Sequence, residues 1–227
     1  MIPQNAMDSD EIYMDLCSKI EKLVYLPGDK ISENELCRQY GVSRHIIRTV
    51  IGRLKERALL TVYPQRGTFV SLIDMKSVEL ILFIRESVEQ EAIRLLQFEK
   101  QEVRDRMSEA MKACIERQRT AISENIDMDA FYLLDNEFHG CLLEAVGKKD
   151  VMEIIREDYI HFRRWRNFYV VRSGRQREII EEHTALMHAL VKNETKEAHE
   201  ILHMHLNTEN RLRHIREKVS PEYFIYH

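Results

Sequence analysis

From residue 76 to residue 218 the chain contains no proline and few glycines, and its apolar residues keep a helical period throughout. Proline inside a helix removes a backbone donor and clashes with the preceding turn. Its absence over such a span leaves long helices as the natural structure. The period predicts six of them, over about 76–97, 100–120, 127–146, 149–170, 174–192 and 195–217. An all-β fold is excluded for the whole chain, because 7 Gly and 4 Pro among 227 residues supply too few turns.

The residues before this span are organised differently. Ile12, Leu16, Ile20 and Leu23 recur at helical spacing, and Pro27-Gly28-Asp29 ends that helix with turn chemistry. Ser32 and Glu35 have the spacing of a capping box before a short helix with Leu36 and Tyr40 inward. Gly41-Val42-Ser43 breaks it, and Ser43 is placed to cap a third helix whose apolar face is Ile47, Val50, Ile51 and Leu54. Two β-rich runs, 60–63 and 68–70, flank Pro64-Gln65-Arg66-Gly67 and predict a hairpin. The expected fold is therefore mainly α. A winged helix-turn-helix (three helices plus a β-hairpin) over 1–72 precedes an all-α helical-bundle domain over 76–218, followed by an aromatic tail, 219–227. That tail is placed to dock on this chain or on a partner.

Several classes drop out. A hydrophobic content of 44% allows a real core. The longest apolar runs, such as Leu80 to Ile84, are far too short to span a membrane, so no membrane partner is expected. The N-terminus lacks the basic start and apolar core of a secretory signal. Cys17, Cys37, Cys114 and Cys141 are scattered without a Cys-x-x-Cys pair. Reduced, mostly buried thiols in a cytoplasmic protein are the expectation, with a redox switch as the alternative.

The net charge of −4 means that any nucleic-acid surface must be local. One candidate exists: the stretch 36–70 carries six Arg and one Lys against the single acid Glu56. With its apolar face inward, the third helix shows Arg44, His45, Arg48, Gly52 and Arg53 outward. The first residues of a recognition helix meet base edges in the major groove, where arginine pairs bidentately with guanine. Arg53, Lys55 and Arg57 lie farther along, toward phosphate or water. A merely solvated basic helix has the same charges; the order of elements, caps and hairpin favours the DNA reading.

The stretch from Leu26 to Glu33, then Leu36, then Tyr40-Gly41-Val42-Ser43-Arg44, then Ile47-Arg48, Leu54 and Arg66-Gly67-Thr68-Phe69-Val70, resembles the winged helix-turn-helix of the GntR family. The resemblance implies that Arg44 and Arg48 contact double-stranded operator DNA, with His45 beside them, and that the wing tip Gln65-Arg66-Gly67 enters the minor groove. Asn34 stands where the family often has Arg. His45 and Thr49 stand where Thr and Glu are common, and Ala58 replaces a usual Gly.

Nine of the ten histidines follow residue 130. Asp135 and His139 share a helical face at four-residue spacing, His183 follows Glu182, and His205 sits on the last helix. One carboxylate and three neutral imidazoles suit a divalent transition metal such as Zn, Ni or Mn, but on spacing alone a plain helix-surface contact is the commoner outcome of such an Asp and His pair. Arg85 with Glu89, Asp135-x-x-Phe138-His139, Glu182-His183 and His205-Leu206 are similar to the helical FCD domain of the FadR-like GntR branch. That resemblance implies Asp135, His139, His183 and His205 as metal ligands with positions left for a small organic-acid effector. Arg85 is the candidate effector anchor, the alternative being a helix pair with Glu89. His203 falls on another face, and His188, His199 and His214 are expected at the surface.

A second basic run, 162–177, holds six Arg and no acid. Its Phe162, Trp165 and Tyr169 are expected in the core, and most of Arg163, Arg164 and Arg166 in solvent. Together these readings describe a homodimeric transcription regulator on a pseudo-palindromic operator. The alternatives are a metal-dependent enzyme, which would want a general base not visible beside the ligands, and a regulator whose metal is purely structural.

Overall fold

The computed structural model describes residues 7–124, 128–168, 175–206 and 221–226, and divides into two units. The first comprises 1–76, 160–167 and 220–227; the second comprises 77–159 and 168–219. The protein is mainly helical.

In the first unit, α1 (Ser9–Glu21) starts at a full capping box. Asp8 Oδ1 accepts from the Asp10 and Glu11 amides at 2.8 and 2.9 Å, and Glu11 Oε2 accepts from the Asp8 amide at 2.8 Å. Helix α2 (Glu33–Tyr40) starts at Ser32, whose Oγ accepts from the Glu35 amide at 3.4 Å, and ends on Gly41 at φ 67°, a left-handed position that suits glycine. Helix α3 (Arg44–Glu56) begins after Ser43, which makes no side-chain cap, contrary to the sequence expectation. Leu16 and Ile20 of α1, Leu36 of α2, and Ile47, Val50 and Leu54 of α3 close one core. Strands β1 (Lys30–Ile31), β2 (Leu60–Tyr63) and β3 (Gly67–Val70) form an antiparallel sheet in the order β1-β3-β2, with Tyr63 opposite Gly67 at the hairpin end.

Two further pieces complete this unit. Strand β4 (Ile73–Asp74) pairs in parallel with β5 (Phe224–Ile225), so the aromatic tail docks on its own chain. Helix α7 (Ile160–Asn167) buries Phe162 and Trp165 completely. Arg164 Nη2 donates to the Ser71 carbonyl at 2.5 Å, Asn167 Nδ2 donates to the Glu21 carbonyl at 2.6 Å, and Arg163 pairs with Glu21 at 2.9 Å. Arg164 and Arg166 are 0% and 2% exposed, so the solvent placement expected for this basic run is corrected. The aromatic spacing of α7 draws the whole turn inward, and burial pushes the Arg164 guanidinium down to about 10, against the opposing charge of Glu21. Tyr169 lies outside the described residues.

The second unit holds α4 (Met75–Leu96, from Ser77 on), α5 (Gln101–Ser123), α6 (Met128–Ala145), α8 (Gln176–Val191) and α9 (Thr195–Leu206). Helix α5 is flanked by α6 and α8, and α8 by α9. The single helix expected over 149–170 is instead a 3-10 stretch, Lys149–Tyr159, followed by α7. The last predicted helix is seen to Leu206; residues 207–217, including His214, lie outside the described residues. Among the described residues, no helix is long and apolar enough to cross a membrane.

Candidate functional site

In the first unit the apolar face of α3 is fully turned inward, which leaves Arg44, His45 and Arg48 exposed on its first two turns. Neither arginine hangs free. Arg44 Nη2 donates to Asn34 Oδ1 at 2.7 Å, and Arg48 Nε donates to Glu33 Oε2 at 3.1 Å, both partners lying in the first turn of α2. Farther along, Arg53 is held by Asp10 at 2.6 Å and lies over the Tyr13 ring, and Arg57 donates to the Tyr13 hydroxyl at 3.4 Å. These two are committed to α1. At the wing, Arg66 is exposed and sits over the edge of Tyr63, 5.9 Å from the ring centroid. Gly67 has φ +114°, a backbone conformation that favours glycine, and a Cβ there would also press within 3.1 Å of Lys30 Cε. Lys30 thereby joins the exposed basic edge, a residue that the one-dimensional charge count over 36–70 could not include.

In the second unit, the spacing of Phe131, Leu134, Phe138 and Leu142 turns one face of α6 inward, and Asp135 and His139 go in with it. Helix α8 contributes His183 and α9 contributes His205. The four candidate ligands are 0–3% exposed, and one ligand atom from each lies within 4.8 Å of all the others. The structure thus brings together the four residues that the sequence singled out, from three helices.

What holds them is as informative as what they are. His139 Nδ1 bonds Glu89 Oε2 at 2.5 Å, His183 Nδ1 bonds Gln118 Oε1 at 3.0 Å, and His205 Nδ1 bonds Glu182 Oε2 at 2.6 Å. All three partners offer acceptor oxygens, so each ring carries its proton on Nδ1 and presents the Nε2 lone pair inward. His139 Nε2 and His205 Nε2 face each other at 3.2 Å, and His183 Nε2 stands 3.5 Å from Asp135 Oδ1. Two lone pairs at that distance repel unless a proton or a cation lies between them. Ligands at about 2.0–2.1 Å from one ion stand roughly 2.8–3.4 Å apart for angles from square to tetrahedral, so the donor set fits a metal in chemistry and these two pairs come near it in spacing, while the whole set, spread over up to 4.8 Å, has to draw together around an ion. Phe138 stacks on His183 at 4.0 Å and closes one side.

Arg85 is 3% exposed; its Nε donates to Glu89 Oε1 at 2.7 Å, and its Nη2 lies 3.4 Å from Asp135 Oδ2. Burial by itself would raise the Glu89 carboxyl, but the adjoining His139 ring, hydrogen-bonded to it, and the Arg85 guanidinium outweigh it and hold Glu89 below the usual carboxylate range. The candidate anchor, the Glu89 pair and the candidate ligands therefore form one network. Gln118 carries no sequence signal at all. Glu182 does, as the neighbour of His183, yet it serves His205. His203 pairs with Glu86 at 2.6 Å, away from the cluster, His199 bonds Gln90, and His188 is exposed.

The profile of the "Bacterial regulatory proteins, gntR family" matches residues 8–70, and that of the "FCD domain" matches residues 80–208. The chain is 27% identical over 201 residues to an uncharacterized HTH-type transcriptional regulator in an unstable DNA locus of Streptomyces ambofaciens, across 86% of this chain and 80% of that one. It is 26% identical over 215 residues to the uncharacterized HTH-type regulator YdhC of Bacillus subtilis, across 91% and 93%. The fold is similar to that of a GntR transcriptional regulator from Rhodococcus sp. RHA1, with a TM-score of 0.66 at 17% identity over 92% of this chain and 97% of that one.

Proposed function

The chain belongs to the GntR family of DNA-binding transcriptional regulators and carries an FCD domain, and from that premise we propose that a divalent metal and a small organic acid, bound in the second unit, control how the first unit holds its operator. The observation that carries this reading is the convergence of three Nε2 lone pairs and Asp135 Oδ1, each imidazole oriented from behind by Glu89, Gln118 or Glu182. Zinc, nickel or manganese suits such a set. Bound there, the ion supplies a Lewis-acidic partner for a carboxylate oxygen. Arg85, beside Asp135, is the second anchor for that carboxylate. In the first unit, Arg44, His45 and Arg48 read the major groove, and Arg66 with Gly67 enters the minor groove. Two half-sites are read by two copies, so the working form is a homodimer.

The near-complete burial of all four ligands favours one competing reading, a metal that only braces the helices. A single set of measurements separates the two. Protein purified without chelator is assayed for metal, and melting temperature and operator binding are followed as small organic acids are added. The proposal expects about one divalent ion per chain, lost in His183→Ala, and an acid that raises the melting temperature only in the metal-loaded protein while changing operator affinity. Absence of metal in the wild type defeats the metal assignment. Metal without any acid response leaves the bracing role.

A further inference from the structure

Two of the four thiols, one of them buried and the other half-buried, stand on adjacent helices of the second unit and take no part in either site. Helix α5 ends at Ser123 and α6 begins at Met128, a connection so short that the two helices run as antiparallel neighbours. Arg117 of α5 and Glu137 of α6 pair at 2.7 Å and set the register. One turn back along α5 from Arg117 is Cys114; one turn forward along α6 from Glu137 is Cys141. In an antiparallel pair those two steps go the same way, which places the two thiols side by side on facing helices, near enough to act on each other electrostatically. Cys141 Sγ donates to the Glu137 carbonyl at 3.2 Å. Cys114 is 2% exposed, whereas Cys141 is only half-buried. The other two cysteines, Cys17 and Cys37, belong to the first unit.

We propose that Cys114 and Cys141 form an oxidation site, at which a hydroperoxide converts the two neighbouring thiols into a disulfide that staples α5 to α6. Cys141, the less buried of the two residues, is the attacking thiol and Cys114 the resolving one. With hydrogen peroxide, Cys141 Sγ attacks one oxygen; an S–O bond forms, the O–O bond breaks, and the second oxygen leaves as water with the thiol proton. Cys114 Sγ then attacks the Cys141 sulfur. The S–S bond forms, the S–O bond breaks, and the hydroxyl leaves as a second water with the Cys114 proton. The thiols give up two electrons and the peroxide takes them. The bond formed is about 2.05 Å long, so the facing helices have to let the two neighbouring sulfurs close to that distance.

The position has a consequence. Cys114 lies one turn before Gln118, which orients His183, and Cys141 lies two residues after His139. A staple there fixes the two helices that supply Asp135, His139 and Gln118. The inference rests on the helix pair alone and stands whether or not a metal binds.

The test uses the full chain, oxidised with hydrogen peroxide, alkylated and mapped by mass spectrometry without reduction. The expected product is a monomer lighter by about 2 Da, the two hydrogens lost in disulfide formation. It contains one linked peptide pair, Cys114 with Cys141, reversed by dithiothreitol. In Cys114→Ser the linkage is lost and Cys141 is trapped as a sulfenic acid by dimedone. Oxygen added to Cys141 without linkage in the wild type, linkage through Cys17 or Cys37, or no change in mass overturns the proposal. The wild-type map decides the matter even if a variant fails to fold.

Discussion

Gln118 lies 65 residues before His183 in the chain and 3.0 Å from it in space. Its carboxamide oxygen is the acceptor that keeps the His183 proton on Nδ1, so Gln118→Leu should lower divalent-ion affinity by about 10–100-fold, the usual cost of losing such an orienting partner. Competition with a chelator of known affinity reads this directly, and an unchanged affinity removes Gln118 from the site. The same logic applies to α3. Asn34 holds Arg44 in one orientation before any DNA arrives. Asn34→Ala should weaken operator binding by roughly 0.5–1.5 kcal/mol, the entropy of immobilising one long side chain at an interface. A gel-shift titration at fixed salt measures it; equal affinity would show that the bond does not preorganise the arginine.

Helix bodies were legible in the apolar period, and helix ends less so, because ends are decided by local hydrogen bonds and by single backbone angles. Ala58, just after α3, adopts φ 54°. A residue with a Cβ is strained there by about 1–2 kcal/mol, while glycine costs about 0.4–1 kcal/mol more than alanine through the unfolded chain. Ala58→Gly is therefore expected to stabilise the first unit by roughly 0.5–1 kcal/mol, read as a higher denaturant midpoint at unchanged slope. A lower midpoint would mean that the angle is relaxed by its surroundings. The stretch 149–159 shows the opposite limit: its apolar residues fit a helical period, yet it forms a 3-10 segment. Periodicity reports which residues turn inward and does not distinguish three residues per turn from 3.6 over so short a run.

At the scale of the molecule, the first unit is assembled from three separate stretches of chain. Helix α7 brings it the completely buried Trp165, and His161 Nδ1 accepts from the Asp74 amide at 3.2 Å. Burial, reinforced by the charge of Arg164 and opposed by Asp74, pushes the His161 ring down to about 4. An unfolded histidine takes its proton near 6.5 and the folded one only near 4, so folding here excludes a proton. Stability from this group is full above about pH 6.5 and is lost as pH falls toward 4, by an amount on the order of 3 kcal/mol. His161→Phe should flatten that decline between pH 6.5 and 4 in melting experiments. An identical slope in wild type and variant would place the acid sensitivity elsewhere.

By itself, the sequence determined the elements whose signals are local. The apolar faces of α1 and α3, the glycine at 67 and the long proline-free helices each follow from residues within a turn or two of one another, whereas the turn at Pro27-Gly28-Asp29 does not end α1, which stops at Glu21. It also singled out Asp135, His139, His183 and His205, two by helical spacing and all four by family pattern. Only the tertiary structure decided that Glu89, Gln118 and Glu182 stand behind those imidazoles, that Cys114 meets Cys141, and that α7 and the aromatic tail belong to the first unit. Those outcomes depend on which faces meet. A helical period states that a face is buried; it carries nothing about the partner that buries it, and an arginine such as Arg164 goes inside only because the aromatic residues on either side of it do.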